Sequence, residues 1–170
     1  MSDVENGGNN TEKTEKSITV DATIASAEKT EKSITVDATI ANVETVTNFV
    51  NAELEALDCP MKAQMQIDVA IDELFGNIAH YAYKCNENGK PGQANVEVSA
   101  SKDEPPHVVI TFTDCGIPYN PLENEDPDVT LSAEERQIGG LGIFLVKKTM
   151  DDISYEYKDG KNILTIKKKL

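Results

Sequence analysis

The chain has 170 residues, the length of one domain, and its 16 Lys and Arg against 30 Asp and Glu give a formal net charge of −14. This charge argues against a surface built for nucleic-acid phosphates, which needs clustered Lys and Arg, and it equally disfavours an anionic membrane surface. No apolar run of membrane-spanning length and no signal-peptide pattern is present, and the three cysteines lack metal-type spacing, so we expect a cytoplasmic protein with reduced thiols.

An exact internal duplication dominates the N-terminal part. Residues 12–25 read EKTEKSITVDATIA, and residues 28–41 repeat these letters with a period of 16 residues. Each copy alternates as a strand does. Only the second copy runs directly into the next element, so we divide the chain into a disordered or duplicated segment, 1–32, and a domain, 33–170. The first copy is then a spare strand that is disordered, caps a sheet edge or pairs with another subunit.

Two helices follow the first strand. The first is predicted over 42–57, with Asn42 as its cap and an apolar stripe at helical spacing. The chain breaks at Pro60, which suits the first turn of a helix. The second helix is therefore predicted to start near Met61, and its periodicity continues to Cys85.

The second helix carries a polar stripe beside its apolar one. Glu73 and Asn77 lie at i and i+4, so they are neighbours on the helix surface. A carboxylate and an amide oxygen there suit a hard cation such as magnesium, or a proton acceptor beside a cation ligand. The alternative is a solvated polar face. Gly76 costs a helix about 1 kcal/mol relative to Ala, which predicts the close approach of another backbone or of a ligand beside Asn77.

Two alternating strands come next, and the second ends at Asp114. Asp114 shares the parity of the apolar residues Ile110 and Phe112, so its carboxylate should face the core side. A carboxylate in that position must find a hydrogen-bond donor, and a ligand amine would serve. The alternative is an aspartate that starts a turn and is bonded to local backbone amides.

A long segment without clear periodicity, 115–138, separates this strand from the next helix. Loops of this length are usually functional lids or disordered. Within it, the capping box of Ser132 and Glu135 predicts a short helix, and Arg136 is the only arginine of the chain. The glycine run at 139–142 then opens a helix, where free backbone amides are suited to bind phosphates, although such a run alone is a weak signal.

The C-terminal residues are predicted to form a hairpin. Asp159-Gly160 is a strong signal for a two-residue turn. That turn pairs Ile153 with Ile166 and places both on one face of the hairpin, together with Tyr155 and Leu164. The hairpin therefore has a core side.

Three motifs occur in order along the chain: ELFGNIAHYAY at 73–83, DCGIPYNP at 114–121 and GGLGIFLVKKTMDDI at 139–153. They resemble the N box and the two glycine boxes of the GHKL ATPase superfamily. Within it, the chain is similar over about 33–170 to the small bacterial serine kinases that act as anti-sigma factors. The resemblance implies an α/β (α+β) two-layer sandwich, in which a mixed, mostly antiparallel sheet carries its helices on one face. The strands would be 33–40, 94–101, 107–114, 153–158 and 162–168.

The resemblance also implies roles for single residues. Glu73 would be the general base that takes a proton from a substrate hydroxyl, and Asn77 would hold the Mg²⁺ that bridges the phosphates of ATP. Asp114 would accept a hydrogen bond from the adenine amine, and Gly116 would let the backbone approach the ring.

The second glycine box would contact the phosphates, with Gly140, Leu141 and Gly142 offering backbone amides. Arg136 and Lys147 are our own additions, made from their charge and position, because either side chain could neutralise phosphate charge. The alternative for both is an ordinary surface residue.

Two functions compete at this point. In the first, the chain is a serine/threonine-protein kinase that phosphorylates an anti-anti-sigma antagonist and so regulates transcription by partner switching. In the alternative, it is a non-catalytic, ATP-dependent binding module that sequesters a sigma factor or another protein. Both predict ATP binding, and phosphoryl transfer asks mainly for positioning and charge stabilisation. Related kinases work as homodimers, so we expect a homodimer with no nucleic-acid or membrane partner.

Overall fold

The computed structural model describes residues 29–84, 89–102, 104–127 and 140–170. Arg136, Cys85, the first copy of the duplication and the helix predicted from the capping box lie outside these residues. The strands are β1 (Lys29–Asp37), β2 (Gln93–Ser101), β3 (His107–Asp114), β4 (Asp152–Lys158) and β5 (Lys161–Lys169). The helices are α1 (Val43–Glu55), α2 (Met61–Asn77) and α3 (Leu141–Thr149), with a π turn at Ile78–Ala82 and 3₁₀ turns at Ile40–Asn42 and Pro121–Glu123. None of the described helices is long and apolar enough to cross a membrane.

The five strands form one sheet in the order β1-β2-β3-β5-β4, and all four pairings are antiparallel. The predicted parallel component is therefore absent from the described sheet. Its absence has a topological cause. The crossover through α3 brings β4 back in the direction of β3, but the hairpin then inserts β5 between them, so no two parallel strands are neighbours.

One face of the sheet is buried under the helices, which confirms the two-layer α/β arrangement. Alternate residues of β2, β3 and β5 are buried, as expected for strands that are covered on one side only. The helices contribute apolar residues at i, i+3 and i+4 spacing. The core includes Val46, Val50, Leu54, Ile67, Ile71, Leu74, Phe75, Val96, Ile110, Phe112 and Ile166.

Two helix ends differ from the sequence prediction. Asn42 does not cap α1 with its side chain, because residues 40–42 form a 3₁₀ turn and the Asn42 Nδ2 donates to the Asp37 carbonyl at 2.8 Å. The α-helix predicted to reach Cys85 ends at Asn77, where the π turn begins. The Ala82 carbonyl in that turn accepts a bond of 2.9 Å from the Ile117 amide, so a distant loop takes part in setting where the regular helix stops.

The C-terminal hairpin has the predicted turn and register. Asp159 and Gly160 have φ values of 52° and 77°, the two positive angles of a type I′ turn. Ile153 lies opposite Ile166, and Tyr155 lies opposite Leu164. The local turn signal was therefore sufficient to predict the pairing of β4 with β5.

Gly76 has more space than predicted. No described atom outside its own helix lies within 4 Å of the position that a Cβ on Gly76 would take. The prediction that another backbone approaches Gly76 is therefore wrong for the described part of the chain. The approach of a ligand stays a prediction.

Gly76 and Gly160 give a matched test of this fold, because a Cβ at either position meets no atom of another described segment within 4 Å. Gly160→Ala should lower the free energy of unfolding by about 1–2 kcal/mol, since Gly160 needs a positive φ. Gly76→Ala should raise it by about 1 kcal/mol, since Ala is the better helix former. Urea unfolding of both variants measures the difference. Equal destabilisation by the two changes would contradict the positions that the fold assigns to them.

Candidate active site

A cavity of about 440 Å³ lies between the end of α2 and the buried face of β3 and β5. Most of its wall is apolar and comes from Leu74, Ile78, Phe112, Ile117, Tyr155 and Leu164. Polar groups enter it at a few points: Asn77, Lys84, Asp114 and Asn162. An apolar slot with a few fixed polar groups is the usual form of a small-molecule site.

Asp114 is the buried acceptor of this cavity. It ends β3 with only 5% of its surface exposed, on the core side as predicted. Its Oδ1 accepts bonds from the Gly116 amide at 2.8 Å and from Asn162 Nδ2 at 2.9 Å. Its Oδ2 has no hydrogen-bond partner among the described residues. The interpretation as a turn bonded to a local amide is therefore confirmed for one oxygen, and the interpretation as a ligand acceptor stays a prediction for the other.

Burial raises the pKa of Asp114 above its ordinary value, and the hydrogen bonds from Asn162 and Gly116 offset part of this rise. A carboxyl group whose pKa is higher in the folded state binds its proton more tightly there than in the unfolded chain. The free energy of unfolding therefore falls as the pH rises through this pKa. The folded protein holds this carboxylate at a cost, as is common at functional sites.

Asn162 is a site residue that the sequence analysis missed. Its Nδ2 donates to Asp114 Oδ1 and, at 3.0 Å, to the Ile117 carbonyl, while its Oδ1 accepts from the Tyr119 amide at 3.1 Å and from the Tyr155 hydroxyl at 2.6 Å. The side chain is 6% exposed, so these bonds fix its orientation. One signal was available: residue 162 shares the core-facing parity of Leu164.

The loop after β3 is attached to the end of α2. A Cβ on Gly116 would overlap the Ala82 carbonyl, so glycine is needed there for contact with the end of α2. This requirement is independent of the predicted approach of Gly116 to the adenine ring. The Tyr83 hydroxyl accepts from the Cys115 amide at 2.9 Å and donates to the Gln93 carbonyl at 2.5 Å. These contacts hold one wall of the cavity at a fixed distance from the helix.

Glu73 and Gly142 are in direct contact, although they lie far apart in the sequence. A Cβ on Gly142 would overlap the carboxylate of Glu73, so a larger residue at 142 would force the end of the Glu73 side chain to move from its observed position. Gly140 precedes α3 and has a φ of 84°. Its carbonyl accepts the first hydrogen bond of the helix, which the Phe144 amide donates at 3.0 Å. The amides of residues 141–143 therefore have no acceptor within the helix. The carboxylate lies beside a helix N-terminus suited to anions.

Asn77 lies one helical turn after Glu73 and lines the cavity. Its side chain makes no hydrogen bond to the described part of the chain. Among those same residues, no cluster of three His, Cys, Asp or Glu side chains suited to a metal ion is found. One amide oxygen fits Mg²⁺, which commonly takes one or two protein ligands and completes its shell with phosphate oxygens and water.

Of the two predicted cations, Lys147 lies among the described residues, and it does not line the cavity. Lys147 Nζ forms an ion pair of 2.9 Å with Asp126 and donates to the Asn124 carbonyl at 3.3 Å, so it is engaged by the segment before the glycine run. Arg136 lies outside the described residues. Lys84 lines the cavity, and its Nζ lies 4.3 Å above the centre of the Tyr81 ring.

Comparison with known proteins identifies a family and several relatives. Residues 36–168 match the model of the histidine kinase-like ATPase domain family. The serine/threonine-protein kinase BtrW of Bordetella bronchiseptica is 27% identical over 105 residues, which cover 62% of this chain and 70% of the relative. The serine-protein kinase RsbW of Listeria monocytogenes is 29% identical over 106 residues, covering 59% and 63%. The anti-sigma F factor of Clostridium perfringens is 28% identical over 122 residues, covering 71% and 83%.

A solved structure is also similar. It contains the RsbU and RsbW domains of a Mycobacterium tuberculosis protein, with a TM-score of 0.54 at 18% sequence identity. The match covers 82% of this chain and 32% of that chain. At this level of identity the likeness supports the fold alone.

The Asp114–Asn162 pair predicts a pH-dependent loss of stability in Asn162→Ala. Without the amide donor the pKa of Asp114 should rise further. The free energy of unfolding that the substitution removes should therefore grow as the pH rises and the carboxyl group ionises. Above that pKa we expect the substitution to lower the free energy of unfolding by about 1–3 kcal/mol, which is the cost of a buried acceptor left without its partner. At acidic pH the decrease should be smaller. Urea unfolding across a pH series measures it. The same substitution made in Asp114→Asn is the control and should show less pH dependence. A loss that does not change with pH would contradict the account.

Proposed function

Because the chain belongs to the histidine kinase-like ATPase domain family, we propose that it is an ATP-dependent serine/threonine-protein kinase. Its substrate would be an anti-anti-sigma antagonist, a small protein with a serine acceptor, and its output would be the regulation of transcription by partner switching. Relatives named serine-protein kinase and anti-sigma F factor support this proposal. The chain spans 63% of the length of the Listeria kinase, so activity, substrate and partners are all part of the proposal.

One observation carries the proposal: the Glu73 carboxylate lies against Gly142 at the start of α3. Helix amides of that kind bind phosphate groups. A carboxylate beside a phosphate site is poorly placed to bind the nucleotide, since like charges repel. It is well placed to accept a proton from a hydroxyl that approaches the terminal phosphate.

The cavity is suited to the nucleoside half of ATP. Asp114 Oδ2 would accept a hydrogen bond from the adenine amine, and the apolar side chains around it would cover the ring. The buried amide of Asn162 holds the carboxylate in one orientation. Adenine would then be selected through a fixed acceptor rather than through shape alone.

In the proposed reaction, Glu73 takes the proton of the serine hydroxyl as its oxygen attacks the γ-phosphorus of ATP. The bond to the β–γ bridging oxygen breaks, and ADP leaves with that oxygen. The amides of residues 141–143 hold the phosphate oxygens while charge moves between them. When bound, Mg²⁺ held by Asn77 supplies positive charge to the same oxygens.

A second function has its own support. A relative named anti-sigma F factor favours a module that binds ATP and sequesters a sigma factor or another partner without catalysis. This alternative uses Asp114, Asn77 and the α3 amides in the same way. It gives Glu73 no chemical role, so Glu73 discriminates between the two functions. A homodimer is part of both proposals.

Glu73→Gln should reduce phosphoryl transfer to the antagonist protein about 10²–10⁴-fold, since glutamine has the same shape but cannot take the proton. The dissociation constant of ATP should change little. Transfer is followed with γ-labelled ATP and ATP binding by calorimetry. Glu156→Gln, on an exposed position of β4, is the matched control and should behave as the wild type. Phosphoryl transfer at the wild-type rate by Glu73→Gln would contradict the kinase mechanism.

Asp114→Asn should weaken ATP binding by at least about tenfold. The amide nitrogen that replaces Oδ2 donates a hydrogen bond, so it would face the adenine amine, which is also a donor. The asparagine oxygen can still accept from Gly116 and Asn162, so the fold should persist. Thermal unfolding checks the fold, and calorimetry checks the binding. A folded variant that binds ATP as tightly as the wild type would remove Asp114 from the site.

A further inference from the structure

The edge strand β1 has a sequence that the chain contains twice. The downstream copy (residues 28–41) includes all of β1, and the upstream copy (residues 12–25) repeats it letter for letter. Among the described strands, β2 alone pairs with β1, so β1 is held at an open edge of the sheet. Every residue of β1 therefore has an identical counterpart in the upstream copy.

The contacts of β1 come from residue types that both copies contain. Ile34 is 5% exposed and lies opposite Val96 in the core. Lys32 Nζ lies 2.8 Å from Glu53 Oε1 on α1, and the Ala38 amide donates to the Gly92 carbonyl at 2.8 Å. The upstream copy carries the same residue types at the matching positions: Lys16, Ile18 and Ala22.

Two features favour the downstream copy. Its connection to α1 has five residues, 38–42, whereas the connection from the upstream strand, 13–21, would have 21 residues, 22–42. Loop closure over this fourfold longer connection disfavours the upstream copy roughly eightfold. In addition, Asn42 Nδ2 donates to the Asp37 carbonyl, and the repeat has Ser26 at that position. These differences are small compared with the contacts that the two copies share.

We propose that the two copies are interchangeable occupants of the edge position beside β2. The downstream copy occupies it in most molecules, and the upstream copy takes it when the downstream copy leaves. The exchange lengthens the connection to α1 by 16 residues, the period of the repeat. It also releases one strand-forming segment from the sheet without opening the core, since the other copy replaces it.

Ile34→Asp tests the exchange, because a buried charge expels the downstream copy from the core and leaves the upstream copy intact. Hydrogen exchange read by mass spectrometry should then show protection of residues 13–21 and loss of protection of residues 29–37. The substitution itself makes the two peptides distinguishable. Urea unfolding should show a folding equilibrium constant lowered at least roughly eightfold, because the loop-closure difference and the loss of the bond from Asn42 to the Asp37 carbonyl both act against the upstream copy.

Three variants complete the experiment. Ile18→Asp should leave the protection of residues 29–37 and the stability unchanged. Thr35→Asp, on the exposed face of β1, should leave the downstream copy in place. The double variant Ile18→Asp with Ile34→Asp should protect neither copy and should be at least ~100-fold less stable than Ile34→Asp, since a charge is buried whichever copy is used.

Two results would overturn the proposal. In the first, Ile34→Asp and the double variant show the same unfolding midpoint and the same lack of protection in both copies. In the second, protection of the upstream copy appears only as the protein concentration rises, which would assign that strand to a second molecule.

Discussion

The buried carboxylate of Asp114 is the constraint on which the site depends. It ends a core-facing strand, so it must be satisfied, and the chain meets this requirement with the Gly116 amide and the Asn162 side chain. These two donors come from different elements, and both bind the same oxygen. The arrangement joins β3, β5 and the loop after β3 into one wall. It leaves the second oxygen to the cavity, which is where a ligand donor can compensate for burial.

The rest of the site is held to this wall by α2. The Ala82 carbonyl in the π turn that ends the helix accepts a hydrogen bond from the Ile117 amide, which joins the helix end to the loop. Asn77 precedes that turn, and Glu73 lies one turn earlier against Gly142. The single helix α2 therefore places Asn77 at the apolar cavity and Glu73 at the N-terminus of α3. This order matches a nucleotide, with an apolar ring at one end and phosphates at the other.

Features encoded by neighbouring residues could be predicted from the sequence. The turn at Asp159-Gly160 fixed the hairpin register, and strand parity placed Asp114 on the core side. The role of Asn162 could not be predicted, because it requires β5 to lie beside β3, and this follows from packing across the whole chain. The end of α2 was missed for the same reason, since the loop bond to Ala82 competes with helical periodicity. Long-range hydrogen bonds leave no local pattern.

We propose that this fold recognises the adenine amine through Asp114 Oδ2. Calorimetric titration with ATP and with inosine triphosphate tests it most directly, because inosine has a carbonyl oxygen where adenine has its amine. We predict magnesium-dependent binding of ATP and binding of inosine triphosphate at least ~100-fold weaker, since two acceptors would face each other. Equal affinity for the two nucleotides, or no heat with either, would contradict the account.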